Sequence, residues 1–131
     1  MSVKGYYLAL LWDVDKEFPF TIHGLWPQYD AGHWPQFCKE QPFVLERLQP
    51  ILPRLRTEWH SLRGSDAHFW EHEWLKHGTC TGMTEFEYFT KALECYDKAK
   101  ANGANWVSSH FAGHTHNIPI DLQWNVGHLS F

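Results

Sequence analysis

The run Tyr6–Trp12, YYLALLW, is apolar at every position. Successive side chains of a strand point to opposite faces, so a run apolar on both faces is satisfied only as a central strand covered on both sides. The chain must then supply flanking strands and a covering layer. Phe18–Leu25 puts Phe18, Phe20 and Ile22 on one face with Thr21 and His23 on the other, which predicts a second strand ended by Gly24 and Pro27. His23 then points away from the core. Ile120, Leu122, Trp124 and Val126 alternate in the same way and predict a further strand, after a loop over Ser108–Asn117.

The covering layer reads as helices. Leu48, Ile51, Leu52, Leu55 and Trp59 recur near helical spacing, but Pro50 and Pro53 lack the N–H that a helix interior needs and divide the segment into two helical pieces. Ser65 or Asp66 caps a helix that runs to His77 and stops at Gly78. The capping box Thr84-x-x-Glu87 opens another, with Phe86, Phe89, Leu93 and Tyr96 on one stripe, Lys98 and Lys100 near its end and Gly103 as its stop. A length of 131 residues without internal repeat makes a single domain, 1–131.

Composition narrows the function classes. An aromatic content of 17% argues for a folded chain, and no apolar run approaches the ~18 residues of a membrane span. The net charge of -4 with neutral histidines excludes a permanently basic, nucleic-acid-binding surface at neutral pH; protonating all ten histidines would bring it to +6, so a polyanionic substrate stays possible in an acidic compartment. Three cysteines are too few for a disulfide scaffold, and their odd number leaves one free or paired outside the chain. Met1–Trp12 has no small-residue cleavage site after its short apolar stretch, so no signal peptide is visible.

The segment Phe69–His77, FWEHEWLKH, carries the densest chemistry. On a helix Phe69, Glu73, Lys76 and His77 fall within about 100° of one another, placing a ring, a carboxylate, an ammonium and an imidazole on one face. Such a face is either a solvated helix surface with an i,i+4 pair or an acid/base site in which the carboxylate tunes the imidazole. A zinc-protease motif needs histidines at i and i+4, whereas His72 and His77 are five apart. His110, His114 and His116 are a weaker metal candidate, more simply read as polar loop residues. No cofactor and no metal are expected.

Two segments together sharpen this reading. Phe20–Pro27, FTIHGLWP, followed by Phe69–Cys80, FWEHEWLKHGTC, resembles the two active-site segments of the ribonuclease T2 family, the acid endoribonucleases that include plant S-ribonucleases. The resemblance covers about residues 7–99 and leaves 104–131 atypical. It implies an α+β fold, with an antiparallel sheet carrying His23 and a helix carrying Glu73, Lys76 and His77 across from it. His23 and His77 match the family's catalytic histidines, Glu73 and Lys76 its charged helpers, and His72 its phosphate-contacting histidine. Trp26 and Phe69 match base-contacting positions, with core packing as the alternative for either ring, and Gln28 stands where a base-reading residue would lie. Cys38 and Cys80 fall where the family has a disulfide, a loop closure worth ~4 kcal/mol in the chain-entropy model. Cys95 is then the leftover thiol.

The implied reaction is cleavage of single-stranded RNA without metal. The ribose 2'-OH is the nucleophile, and a 2',3'-cyclic phosphate forms and is later hydrolysed to a 3'-phosphate. His77, oriented by Glu73, takes the base role and His23 the acid role, an assignment that can be exchanged; Lys76 and His72 stabilise the phosphorane. The family setting is secreted or vacuolar. Against the family pattern, only five residues separate Trp12 from Phe18, and nothing after Ala99 resembles the family's further strands, so the fold is shortened at the C-terminus. A non-catalytic RNA-binding or interaction fragment is the competing expectation.

Overall fold

A computed structural model describes residues 2–13, 20–101 and 115–127. Its sheet has three antiparallel strands, β1 (Gly5–Trp12), β2 (Phe20–Gln28) and β3 (Thr115–Ile120), in the order β2-β1-β3. The doubly apolar run is therefore the central strand. Leu8 and Leu10 on one of its faces and Ala9 and Leu11 on the other are all buried. Among the described residues three α-helices accompany the sheet: α1 (Leu52–Glu58), α2 (Asp66–Lys76) and α3 (Glu85–Ala101). Among the described residues no helix is long and apolar enough to cross a membrane.

Local signals set the helix boundaries. Pro50 lies inside a 3-10 turn at Leu45–Ile51 and Pro53 within the first turn of α1, where a missing N–H costs nothing. Ser65 caps α2 by accepting from the His68 N–H, and Thr84 and Glu87 exchange both bonds of the capping box at the start of α3. The buried arc of α3 runs through Tyr88, Phe89, Ala92, Leu93, Cys95, Tyr96 and Ala99. Phe86, expected on this stripe, sits at its margin and is exposed.

Two strand expectations are corrected. β2 does not stop at Gly24 but continues through Pro27 to Gln28, and as an edge strand it tolerates a residue without an N–H. At its centre Ala9 pairs with Gly24 and Leu10 with Ile22, so His23 is the extra residue of a β-bulge. The bulge resets the alternation. Ile22 and Leu25, three apart, thereby both oppose the core-facing leucines Leu10 and Leu8. The third strand is Thr115–Ile120, not 120–126; the part of the expected loop before Thr115 lies outside the described residues. After Ile120 the Asp121 carboxylate accepts from the N–H groups of Gln123 and Asn125, and Trp124 adopts a φ of 66°, which turns the chain before the alternation can extend a strand. Phe18 and Gly103 also lie outside the described residues.

The core face of the sheet, with Leu8, Leu10, Ile22, Leu25, Ile118 and Ile120, joins one cluster with Leu48, Leu55, Trp59 and the buried arc of α3. Backbone groups of β2 are met by helix side chains: Tyr96 donates to the Phe20 carbonyl at 2.8 Å, Trp59 to the His23 carbonyl at 3.1 Å and Tyr88 to the Leu25 carbonyl at 2.9 Å. These buried donors satisfy a strand that, among the described residues, has no further strand beside it, and they fix the bulge in place.

Candidate active site

The opposite face of the sheet carries the site. Tyr7 pairs across to Trp26 on one side and Pro119 on the other, and Ala9 to Gly24 and Asn117, so these residues share one surface. A cavity of about 350 Å³ opens there, lined by Tyr7, His23, Trp26, Gln28 and Asn117 of the sheet and by His72, Glu73, Lys76 and His77 at the end of α2. The solvated-surface reading of α2 fails: Trp70, Glu73, Trp74 and His77 are buried, and the two indoles donate to the Trp59 and Gln41 carbonyls. Those bonds roll the helix so that Glu73 and His77 face β2.

Glu73 is 1% exposed. Its Oε1 accepts from the Trp26 indole N–H at 2.8 Å, and its Oε2 lies 3.8 Å from His23 Nε2. The carboxyl thus faces His23 rather than His77. Burial pushes its pKa up to about 8 against the smaller opposing pull of the Trp26 hydrogen bond and the Lys76 charge. His77 caps the helix and stacks on Trp26, ring centroids 4.9 Å apart. Burial first, then Lys76, His72 and His23, depress it to about 3; burial, His72 and Lys76 depress His23 to about 4. Among the described residues neither imidazole Nδ1 has a hydrogen-bond partner. Two neutral imidazoles thus share one cavity with cationic Lys76, an arrangement fit to move protons at a bound anion.

The remaining expected residues are dispersed around this centre. His72 is exposed and meets Phe37 edge-on. Phe69 packs edge-on against His23, 5.4 Å between centroids, and is not among the cavity-lining residues. Gln28 is 3% exposed, and its amide donates to the Asp30 carbonyl. Sequence reasoning missed Trp34, which lines the cavity while 46% exposed, and Asn117 across the sheet. Neither is in the two motifs, so only the folded chain brings them in. His110 and His114 lie outside the described residues, and among the described residues no group of three or more ligand-type side chains is placed to hold a metal. His116 lies edge-on to Phe20.

Cys38 and Cys80 form a disulfide with a sequence separation of 42, joining the loop that bears Trp34 to the 3-10 turn Gly78–Cys80 after α2; Cys95 is free and buried. Replacing both bridge cysteines by serine is expected to lower unfolding free energy by about 2–4 kcal/mol. Urea titration checks this, and an unchanged midpoint would show that the loop is held by other contacts.

A sequence model of the Ribonuclease T2 family matches residues 8–110. Intracellular ribonuclease LX of Solanum lycopersicum is 42% identical over 87 residues, covering 63% of this chain and 36% of that protein. Ribonuclease MC of Momordica charantia is 36% identical over 97 residues, covering 72% and 50%. Among solved structures, RNase NT in complex with 5'-AMP superimposes with a TM-score of 0.73 over 96% of this chain and 89% of that one, at 23% identity, a likeness of fold. The chain spans between about a quarter and a half of the length of the curated relatives it matches.

Proposed function

The chain belongs to the ribonuclease T2 family, and from that premise we propose that it is an endoribonuclease cleaving single-stranded RNA by metal-independent transesterification. The observation that supports this most is the pair of imidazoles, half-buried His23 and buried His77, opening with Lys76 onto one cavity. RNA brings its own nucleophile. His77 takes the 2'-OH proton as the 2'-oxygen bonds to phosphorus; the bond from phosphorus to the 5'-oxygen breaks, and His23 protonates that oxygen. Glu73, whose Oε2 stands 3.8 Å from His23 Nε2, faces the imidazole that serves as the acid and, when ionised, favours its protonated form. Lys76 and His72 meet the charge gathering on the phosphorane. A phosphate bound there raises both imidazole pKa values by attraction, which makes available a protonated acid that burial and Lys76 disfavour.

Water then opens the 2',3'-cyclic phosphate to a 3'-phosphate. Unpaired bases suit the exposed Trp34 ring at the cavity, a surface that a base in a duplex cannot reach. The disulfide fits a secreted or vacuolar setting. The test is incubation of a single-stranded oligoribonucleotide with the chain at about pH 5 in excess EDTA. Cyclic phosphate ends are expected. Intact RNA bound to a chain that circular dichroism shows to be folded would overturn the proposal in favour of a binding fragment.

A further inference from the structure

We propose that Phe37 forms a third nucleotide subsite, stacking an RNA base next to the two nucleotides that share the scissile phosphate. The proposal rests on the ribonuclease reading above and extends its substrate beyond that dinucleotide. Phe37 is 58% exposed and holds a φ of 50°. A bulky side chain is disfavoured in that backbone conformation, and the ring leaves apolar surface in water, so neither local preference nor the core accounts for a phenylalanine here. The fold nevertheless fixes it. The Phe37 N–H donates to the Lys76 carbonyl at 2.9 Å, Cys38 is bridged to Cys80, and the Gln41 carbonyl accepts from the Trp74 indole. The ring is therefore displayed from a backbone that is already ordered before anything binds.

Its surroundings identify the occupant. The ring meets that of His72, centroids 6.4 Å apart and planes at 75°, and His72 lines the cavity that holds His23 and His77. Phe37 itself lines a second, shallower groove with Lys39, Glu40, Gln41, Pro42 and Leu75. The two concavities adjoin through the His72–Phe37 contact, so a strand with a phosphate at His72 runs on past the ring. Lys39 and Glu40 offset each other in formal charge, which leaves stacking on Phe37 and apolar contact with Pro42 and Leu75 as what the groove offers. A single strand can turn a base onto such a ring, whereas a duplex keeps its bases stacked on one another.

Phe37→Asn tests this, since asparagine tolerates a positive φ and brings no ring. The substrates are a dinucleotide and two trinucleotides lengthened at the 5' or the 3' end, each with a single ribose 2'-OH so that one phosphate alone can be cut. On one side the added nucleotide is expected to raise kcat/KM by about 5- to 150-fold, the range of one base–aromatic stack, and Phe37→Asn to bring the ratio of long to short substrate close to one. An effect passed through His72 acts on both substrates and cancels in that ratio. A ratio near one in the parent, or equal ratios in the two proteins, would overturn the proposal. Calorimetry with all-2'-deoxy di- and trinucleotides reads the same length dependence without turnover. Found in a chain that fails to cleave RNA, and lost in Phe37→Asn, it would sustain the subsite and remove the ribonuclease reading; cleavage without length dependence would remove the subsite alone. The urea midpoint of Phe37→Asn should not fall, and a clear fall would assign the ring to packing instead. Sedimentation that changes from dimer to monomer in Phe37→Asn, with length dependence intact, would assign it to contact with a second copy and overturn the proposal.

Discussion

His77→Ala is expected to lose cyclic-phosphate formation by about 10^3-fold, and His23→Ala by a similar factor, within the range usual for deleting a general base or acid. The two losses should nevertheless differ in kind. A substrate whose leaving oxygen departs without protonation, such as a uridine 3'-aryl phosphate, has no need of an acid. His23→Ala should recover most of its activity on such an ester, whereas His77→Ala should stay impaired, because the 2'-OH still has to be deprotonated. The asymmetry follows from position. His23 has a protonated carboxyl 3.8 Å away, while His77 lies against the Trp26 ring and is held to about 3. The reverse pattern would exchange the roles, and retention of near-parent activity by either variant on RNA would remove it from the mechanism. Loss of folding is an unconvincing alternative for His77→Ala, since alanine removes a buried Nδ1 that has no partner among the described residues. A thermal melt alongside the kinetics settles that point.

How much of this was legible in the chain depended on whether the controlling interaction was local. Pro50, Pro53, Ser65 and the Thr84–Glu87 box act within a turn of themselves, and the helices begin and divide where those residues require. The central strand was equally legible, because a run apolar on both faces has one stable environment. The bulge was not. It depends on which residue of β1 faces which residue of β2, and a single-residue offset inverts every later side chain. His23 therefore read as an ordinary outward strand residue, although it is the one residue of the β2 centre without a partner in β1. The helix stripe puts Phe69, Glu73, Lys76 and His77 on one face, of which the last three line the cavity and Phe69 does not, and the expected Glu73-to-His77 orientation did not foresee the Trp26 indole, which reaches Glu73 from 47 residues away. Competing local chemistry explains the displaced third strand: Asp121 offers its carboxylate to the backbone and wins over alternation.

Glu73→Gln is expected to make the protein more stable at alkaline pH while damaging its chemistry. In the folded chain the carboxyl titrates at about 8, against 4.5 when unfolded. Between those values the unfolded state releases a proton that the native state keeps, so native stability is undiminished below pH 4.5 and falls as pH rises toward 8. Three and a half units correspond to roughly 5 kcal/mol at full ionisation. Glutamine has no proton to lose and retains an oxygen for the Trp26 N–H. The stability difference between variant and parent should therefore be small near pH 4 and widen in favour of the variant toward pH 9. The histidines act with opposite sign. With folded values of about 4 for His23 and about 3 for His77, they stay neutral while the unfolded imidazoles charge below 6.5, so stability falls as pH drops from 6.5 toward those values. These three groups place the parent's optimum near the histidines' unfolded value, between an acid limb due to two imidazoles and an alkaline limb due to one carboxyl. Urea midpoints from pH 4 to 9 on parent and Glu73→Gln test the assignment directly. If the alkaline limb persists unchanged in the variant, Glu73 ionises in the native state at an ordinary pH and the carboxyl facing His23 is charged there. If it disappears, the site carries a carboxyl that burial keeps protonated, and the cost in stability is borne at the atom that faces His23.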